Sequence, residues 1–536
     1  MSLPTPVTGH GPAFFPIGDP PGLPHPATKI LATIGPASEF ERVLSQLVEH
    51  GVTLFRLNFS HGTLEDQQRR LDLIRKYDEQ TFLPLAVIGD LPGPKIRCGT
   101  CPEGGIHLET GSQVVIRAGI KECVDGEVPV LAASYDNVVR ETEEGHRVLI
   151  NDGAIRMLAL EHTGDDLICR VTRGGVVTTR KGINLPDTNL TIPAVTERDW
   201  ACAEWAVANQ LDYLALSFVR TADDLRLLNN KLRRVCTDEA CGTGLTDRNQ
   251  PPVIPVIAKV ETPQAVRNID EILDECDGVM VARGDLGVEL DLAQVPMVQK
   301  RLIAAAHEHG KPAIVATQML ESMIENSVAT RAEVSDAANA ILDGADCLML
   351  SGETAVGAHP VSAVETLRRV AASTEEAVRE TKNEPRPSKR LQRERRLVPA
   401  IAHGVWHIAQ DVDATLLLIW SQKGGEARYL SRQSFRVPII AYTSDHKAVR
   451  RMNMLSGVFP VLVDDVPLHR SDFAAMADRD ILRHGWAHKG DPVILMAGKP
   501  IDHPGSTNTM SVRYAGELTE SMELQYVDHS SEGWST

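Results

Sequence analysis

The sequence predicts an α/β protein built on a closed (β/α)8 TIM barrel, with an inserted small β-barrel lid domain and a C-terminal doubly wound α/β domain. Three observations predict it. Eight short apolar, β-branched runs alternate with amphipathic helical patterns, which implies parallel βαβ units closing into a barrel. The alternation breaks once, after the third run, where short alternating β segments take over. Without that insertion, segments 28–90 and 188–375 together make about 250 residues, the usual length of such a barrel.

The eight runs are Lys29–Ile34, Leu54–Asn58, Leu85–Asp90, Asp212–Phe218, Val253–Lys259, Gly278–Ala282, Pro312–Thr317 and Asp346–Ser351. Between them, Phe40–His50, Glu65–Tyr77, Pro263–Cys276, Val295–His309 and Thr330–Leu342 carry apolar residues at helical spacing. Six of the eight runs end on a polar or small residue, and in this fold the C-terminal strand ends form the active site.

From 91 to 187 the pattern is that of a small antiparallel β domain, with Ser112–Arg117, Arg147–Asn151 and Leu167–Thr172 as strands. Turn signals separate them at Glu103-Gly104-Gly105, Asp125-Gly126, Asp152-Gly153 and Arg173-Gly174-Gly175. A domain hung on the active-site face can close as a lid. Residues 376–397 read as a charged, Pro-containing linker, a solvated stretch rather than an anion site. From 398 to 536, Ala414–Trp420, Val437–Tyr442, Gly457–Val463 and Pro492–Ala497 alternate with helices as a smaller regulatory or assembly domain. Residues 1–27, rich in Pro and Gly, read as a flexible arm, and Thr237–Pro252 as a surface insertion.

Composition sets the outer limits. A chain of 536 residues predicts two to four domains. The net charge of −17 argues against a nucleic-acid binder, although a local cluster of Lys, Arg and metal can still take a small anion. Nine cysteines, with a single CxxC spacing at Cys98-Gly99-Thr100-Cys101 and no second such pair or zinc-like Cys/His set, indicate neither a disulfide framework nor a structural zinc, and fit a reducing cytoplasm. No run of 18 apolar residues predicts a membrane span.

Two islands carry the chemistry, Ala258-Lys259-Val260-Glu261 and Ala282-Arg283-Gly284-Asp285-Leu286-Gly287. Magnesium usually accepts only one or two protein carboxylates, so Glu261 and Asp285 are candidate ligands. Lys259 beside such a metal would act as a fixed charge toward phosphate or an incipient oxyanion. The plainer alternative is two strand ends with surface salt bridges. Arg56 ends the second strand within Arg56-Leu57-Asn58-Phe59-Ser60-His61-Gly62, where it meets an anion or pairs with Asp90. The third strand runs into Asp90-Leu91-Pro92-Gly93-Pro94-Lys95-Ile96-Arg97, and Lys181 to Pro186 marks the return from the lid. The hinges thus carry basic residues suited to phosphates. Thr317 after the seventh strand, and Ser351 and Glu353 after the eighth, are candidates to relay a proton or order a water, although Thr and Ser also serve as helix N-caps.

These motifs in this order resemble the pyruvate kinase family. The resemblance rests on Ala32-Thr33-Ile34-Gly35-Pro36-Ala37-Ser38, Arg56 to Gly62, Gly93 to Arg97, Lys181 to Pro186, both islands, Ala316 to Met323, Thr330-Arg331-Ala332-Glu333 and Leu350 to Ala355, and runs from about Thr28 to Tyr514. It implies transfer of a phosphoryl group from phosphoenolpyruvate to ADP, giving pyruvate and ATP, the last step of glycolysis. It further implies that Glu261 and Asp285 hold Mg2+ (or Mn2+) and that Lys259 stabilises the moving phosphoryl group and the enolate oxygen. Arg56 would grip the phosphoryl group, and the backbone N–H groups of Ala282 to Asp285, Gly284 among them, would receive the substrate carboxylate. Thr317, with Ser351 and Glu353 behind it, would serve protonation of the enolate. Asn58, His61, Arg97 and Lys181 would meet the nucleotide, and the assembly would be a homotetramer.

Two departures matter. Many members hold potassium at positions matching Asn58, Ser60, Asp90 and the carbonyl of Leu91, with a glutamate where this chain has Lys95. An ammonium beside Asp90 would substitute for that cation, so activity is expected without potassium. In the C-terminal domain, the loop Ser421-Gln422-Lys423-Gly424-Gly425-Glu426-Ala427 carries Glu426 where a phosphate-binding hydroxyl is common, which disfavours activation by fructose 1,6-bisphosphate. Lys423 and the segment Pro504-Gly505-Ser506-Thr507-Asn508 leave another anion open. The rival enzyme is a metal-dependent aldolase or lyase acting through a pyruvate enolate on the same barrel, and the rival non-enzyme is a retained scaffold. The lid with its basic hinges argues against the first, and the intact catalytic set against the second.

Overall fold

The structure, a computed structural model, describes residues 26–81, 83–235, 254–379, 397–433, 437–498, 501 and 507–517. The proposed surface insertion, nearly all of the N-terminal arm and most of the linker lie outside the described residues, as do Pro504, Gly505 and Ser506.

Eight parallel strands close into a barrel: Lys29–Thr33, Leu54–Asn58, Ala86–Asp90, Tyr213–Leu216, Val256–Val260, Gly278–Ala282, Ala313–Ala316 and Cys347–Leu350. Each falls within, or one residue beyond, its sequence-predicted run. Around the ring, each strand neighbours those before and after it in sequence, and the eighth neighbours the first. Nearly every strand residue is buried, as expected for a parallel sheet covered on both faces. Register fixes what the strand ends present: Thr33 pairs with Arg56, and Lys259 with Met280.

One helix departs from expectation. The segment 263–276 forms two pieces, Pro263–Arg267 and Ile269–Glu275, broken at Asn268. Thr262 caps the first piece by accepting a hydrogen bond from the Ala265 N–H. The Asn268 side-chain amide donates to the Arg220 carbonyl (3.0 Å), a bond outside the helix. The Thr330–Glu333 motif forms a capping box on helix Arg331–Leu342, and Glu333 also accepts from the backbone and hydroxyl of Ser322.

The chain divides into two compact units, 1–89 with 210–213 and 303–536, and 90–209 with 214–302. In the second unit the inserted β domain has a six-stranded sheet, in the order Ile183–Asn184, Arg147–Ile150, Ile155–Thr163, Asp166–Arg173, Gln113–Arg117, Val130–Ala132. A two-stranded ribbon joins Gly175–Val177 to Ile106–Leu108. Alternating side chains of these strands fill one core, including Ile106, Val114, Ile116, Val148, Ile150 and Leu167. The expectation of a purely antiparallel domain needs one correction, because Gln113–Arg117 and Val130–Ala132 run parallel. The stretch between those strands is long enough to return the chain in the same direction.

In the first unit the C-terminal domain has a five-stranded sheet, in the order Val458–Leu462, Ile439–Thr443, Leu416–Trp420, Pro492–Gly498, Thr507–Tyr514. The first four are parallel and the last is antiparallel. That edge strand was not foreseen. Its residues TNTMSVRY contain no apolar run and leave alternate side chains exposed, so the sequence signal is weak. The C-terminal domain joins the barrel strands of its own unit through buried polar contacts. Arg432 forms a bidentate ion pair with Asp346 just before the eighth strand, and the Lys29 ammonium donates to the Val458 carbonyl (2.7 Å).

Candidate active site

In the second unit the fifth strand carries Lys259, whose Nζ lies 3.1 Å from Asp90 Oδ1 and 3.0 Å from Glu261 Oε1. The same ammonium donates to Ser217 Oγ at 2.6 Å. Lys259 is therefore held by three oxygens from the third, fourth and fifth strand ends. Two carboxylates and a hydroxyl make the head rigid, which is what a fixed charge for phosphoryl transfer requires.

Glu261 is 1% exposed, and its Oε2 accepts the Phe218 N–H at 2.7 Å. Burial pushes its carboxyl up to about 7, against the pull of the Lys259 ammonium and with added repulsion from Asp285. Phe218 adopts φ +54°, an unusual conformation for a bulky residue, and thereby aims its N–H at the carboxylate. Asp285 sits in the first turn of helix Arg283–Glu289, directly after the sixth strand.

Glu261 and Asp285 fit a hard divalent cation. Both offer oxygen, Asp285 adds to the cost of ionising Glu261, and a metal would offset that cost. No group of three or more His, Cys, Asp or Glu side chains suited to a metal occurs among the described residues. Two carboxylates suit magnesium, which retains several water or substrate ligands.

Lys95 is placed differently from expectation. Its Nζ lies 3.7 Å from Asp285 Oδ1 and 3.7 Å from Asp152 Oδ1, and Lys259 is the ammonium that pairs with Asp90 at 3.1 Å. The hinge explains this. Gly93 takes φ +69°, and a Cβ on Gly182 would come within 2.9 Å of Lys95 Cε, so the missing side chain lets the lysine stem lie across the returning strand. Leu91 is buried, and its N–H donates to the Ala215 carbonyl. Arg97 donates to the Arg180 carbonyl and bridges to Gly182, so Arg97 and Lys181 flank one hinge. Beyond Lys181, the Asn184 amide donates to Glu289 Oε1 at 2.7 Å. Burial pushes Glu289 up to about 7.

In the first unit Arg56 is buried at the end of the second strand and donates to Thr33 Oγ1 (3.2 Å). Thr33 Oγ1 in turn donates to the Leu350 carbonyl at 2.9 Å. Asn58 Oδ1 accepts the Ser60 N–H, and Ser60 and His61 are exposed. Thr317 takes φ +68° and Gln318 φ +54°, a strained pair at the seventh strand end, and the Thr317 hydroxyl donates to the Ala316 carbonyl. Glu353 is fully buried. One of its oxygens accepts the Leu320 N–H and the other the Ser351 N–H, so this carboxylate joins the seventh and eighth strand ends. Among the described residues the buried Ser351 hydroxyl meets no hydrogen-bond partner.

Sequence reasoning missed Ser217, Phe218 and the Asn184–Glu289 pair. Ser217 is the polar residue next to last in the fourth apolar run, and that interruption was the available signal. Phe218 contributes only backbone, and an aromatic residue does not announce a positive φ.

Comparison with known proteins agrees with this architecture. The family model "Pyruvate kinase, barrel domain" matches residues 25–364, and "Pyruvate kinase, alpha/beta domain" matches residues 399–513. A pyruvate kinase of Mycobacterium tuberculosis is 38% identical over 489 residues, 91% of this chain and 98% of that protein. A pyruvate kinase of Geobacillus stearothermophilus is 36% identical, covering 92% of this chain and 81% of that one. A crystal structure of a pyruvate kinase from Cryptosporidium parvum superposes with a TM-score of 0.81 at 32% identity, covering 92% of this chain and 96% of that one. These relatives lend no support to a lyase. The chain belongs to the pyruvate kinase family of phosphotransferases, whose reaction needs a divalent metal.

Proposed function

We propose that this chain transfers the phosphoryl group of phosphoenolpyruvate to ADP with Mg2+ (or Mn2+) bound at Glu261 and Asp285, and that it does so without potassium. The observation that carries the reading is the seating of Lys259 between Asp90, Glu261 and Ser217.

A β-phosphate oxygen of ADP attacks phosphorus, the bond from phosphorus to the enol oxygen breaks, and the enolate takes a proton at carbon to become pyruvate. A divalent ion supplies charge neutralisation for the phosphoryl oxygens and the enolate. Lys259 adds a positive charge that is already in place and needs no reorganisation. Arg56 grips the phosphoryl group, and the N–H groups of Ala282, Gly284 and Asp285 receive the substrate carboxylate. Thr317 serves the protonation step together with Ser351, and Glu353 holds both strand ends in position. Asn58, His61, Arg97 and Lys181 meet the nucleotide.

Potassium independence rests on Lys95, an ammonium 3.7 Å from Asp285 in a family in which many members carry glutamate at that position. The remaining monovalent-cation positions are Asn58, Ser60, Asp90 and Leu91. A reducing cytoplasm is supported by seven cysteines, all free and buried among the described residues. No helix among those residues is long and apolar enough to cross a membrane. The assembly is a homotetramer.

The test is ATP formation from phosphoenolpyruvate and ADP with Mg2+ in buffer free of potassium and sodium. Full turnover supports the reading. Turnover that appears only on adding potassium refutes the role of Lys95, and no ATP under either condition refutes the phosphotransferase reading.

A further inference from the structure

The helix Leu397–Asp411 opens the C-terminal domain and buries Ala402, Val405 and Ala409 against that domain's core. His403 and His407 stand four residues apart, so both rings leave the helix on one side. His407 is exposed and His403 half-buried. Their Nε2 atoms converge to 3.4 Å, with ring centroids 4.8 Å apart and ring planes at 87°. That separation is long for an N–H···N hydrogen bond. It suits a different bond. With metal–nitrogen distances of about 2.0–2.1 Å, nitrogens 3.4 Å apart subtend an angle of about 112° at a shared ion, close to tetrahedral.

We propose that His403 and His407 form a two-ligand site for a borderline divalent transition metal, of which Zn2+ and Cu2+ are the representatives. Two imidazoles select Zn2+, Cu2+ or Ni2+ over Mg2+ or Ca2+, which prefer oxygen. The remaining coordination positions are filled by water or by a ligand from outside the chain. This site is independent of the phosphoryl-transfer reading, since its donors are nitrogen and those of Glu261 and Asp285 are oxygen.

Trp406 provides a local reporter, with its ring 5.1 Å from that of His407. The experiment uses untagged full-length protein saturated with Mg2+, so that the oxygen site is filled, and titrates it with Zn2+ by calorimetry and with Cu2+ by tryptophan fluorescence. The wild type should bind one more equivalent of Zn2+ than His403→Ala or His407→Ala, with affinity falling at least tenfold in each variant. Cu2+ should quench fluorescence strongly in the wild type and weakly in both variants and in Trp406→Phe. Both histidine variants should keep ATP formation within twofold of wild type, showing that the fold is intact. If His403→Ala fails to fold, His407→Gln, which alters an exposed position, gives the same comparison. Equal stoichiometry and affinity in wild type and variants would overturn the proposal, as would a loss confined to one variant, because a shared ion needs both rings.

Discussion

The ammonium of Lys95 stands 3.7 Å from Asp285 Oδ1, one ionic contact from a candidate metal ligand. Because Lys95 is anchored across Gly182, its charge belongs to the hinge as much as to the site. Lys95→Glu should therefore lower turnover in potassium-free buffer at least tenfold, through repulsion with Asp285, and added potassium should restore part of it. Steady-state rates with and without potassium check this. Equal rates for wild type and variant would remove Lys95 from the account.

Stability of the metal-free protein should depend on Glu289 with a defined sign. Its carboxyl rises from 4.5 to about 7 because burial disfavours the charge, so the folded state keeps a proton that the unfolded chain releases. The stabilisation is complete below about pH 4.5 and is lost as pH rises through about 7, at most about 3 kcal/mol. Glu289→Gln should flatten this part of the curve of Tm against pH. A slope unchanged by the substitution would show that Glu289 does not titrate there.

Arg432 and Asp346 are both nearly inaccessible and bound to each other. Removing one partner leaves the other charge buried. Arg432→Met should cost about 3–5 kcal/mol, measured by denaturant unfolding, because a broken buried pair is far more costly than a missing surface pair.

The hydroxyl and the ammonium of the loop after strand Leu416–Trp420 are already engaged. Ser421 Oγ donates to Glu426 at 2.9 Å and accepts the Ala427 N–H, while Lys423 pairs with Asp445 at 2.5 Å. A sugar bisphosphate would have to displace these bonds and approach a buried carboxylate. Fructose 1,6-bisphosphate should change the apparent KM for phosphoenolpyruvate by less than twofold, and a large fall on titration would contradict this.

Much of the barrel was legible because its strands announce themselves twice, by apolar β-branched runs and by polar residues at their ends. Lys259, Glu261 and Asp285 were legible for the same reason, as charges interrupting apolar runs. Phe218 and Thr317 were not legible as left-handed residues, since positive φ in bulky or β-branched side chains is imposed by tertiary contacts. The Asn184–Glu289 bond joins residues 105 apart in sequence, and no local pattern encodes such a pair. The break at Asn268 was hidden because both pieces share one helical periodicity. The edge strand Thr507–Tyr514 stayed hidden because polar residues alternate through it.

The most direct test of the central claim is Lys259→Met. Its ammonium holds Asp90, Glu261 and Ser217 together and supplies the fixed charge for transfer. Loss of that charge should lower kcat at least 1,000-fold, on the order of 4 kcal/mol in transition-state stabilisation, with far-UV circular dichroism unchanged. A folded Lys259→Met protein that forms ATP from phosphoenolpyruvate and ADP at near wild-type rate would contradict it.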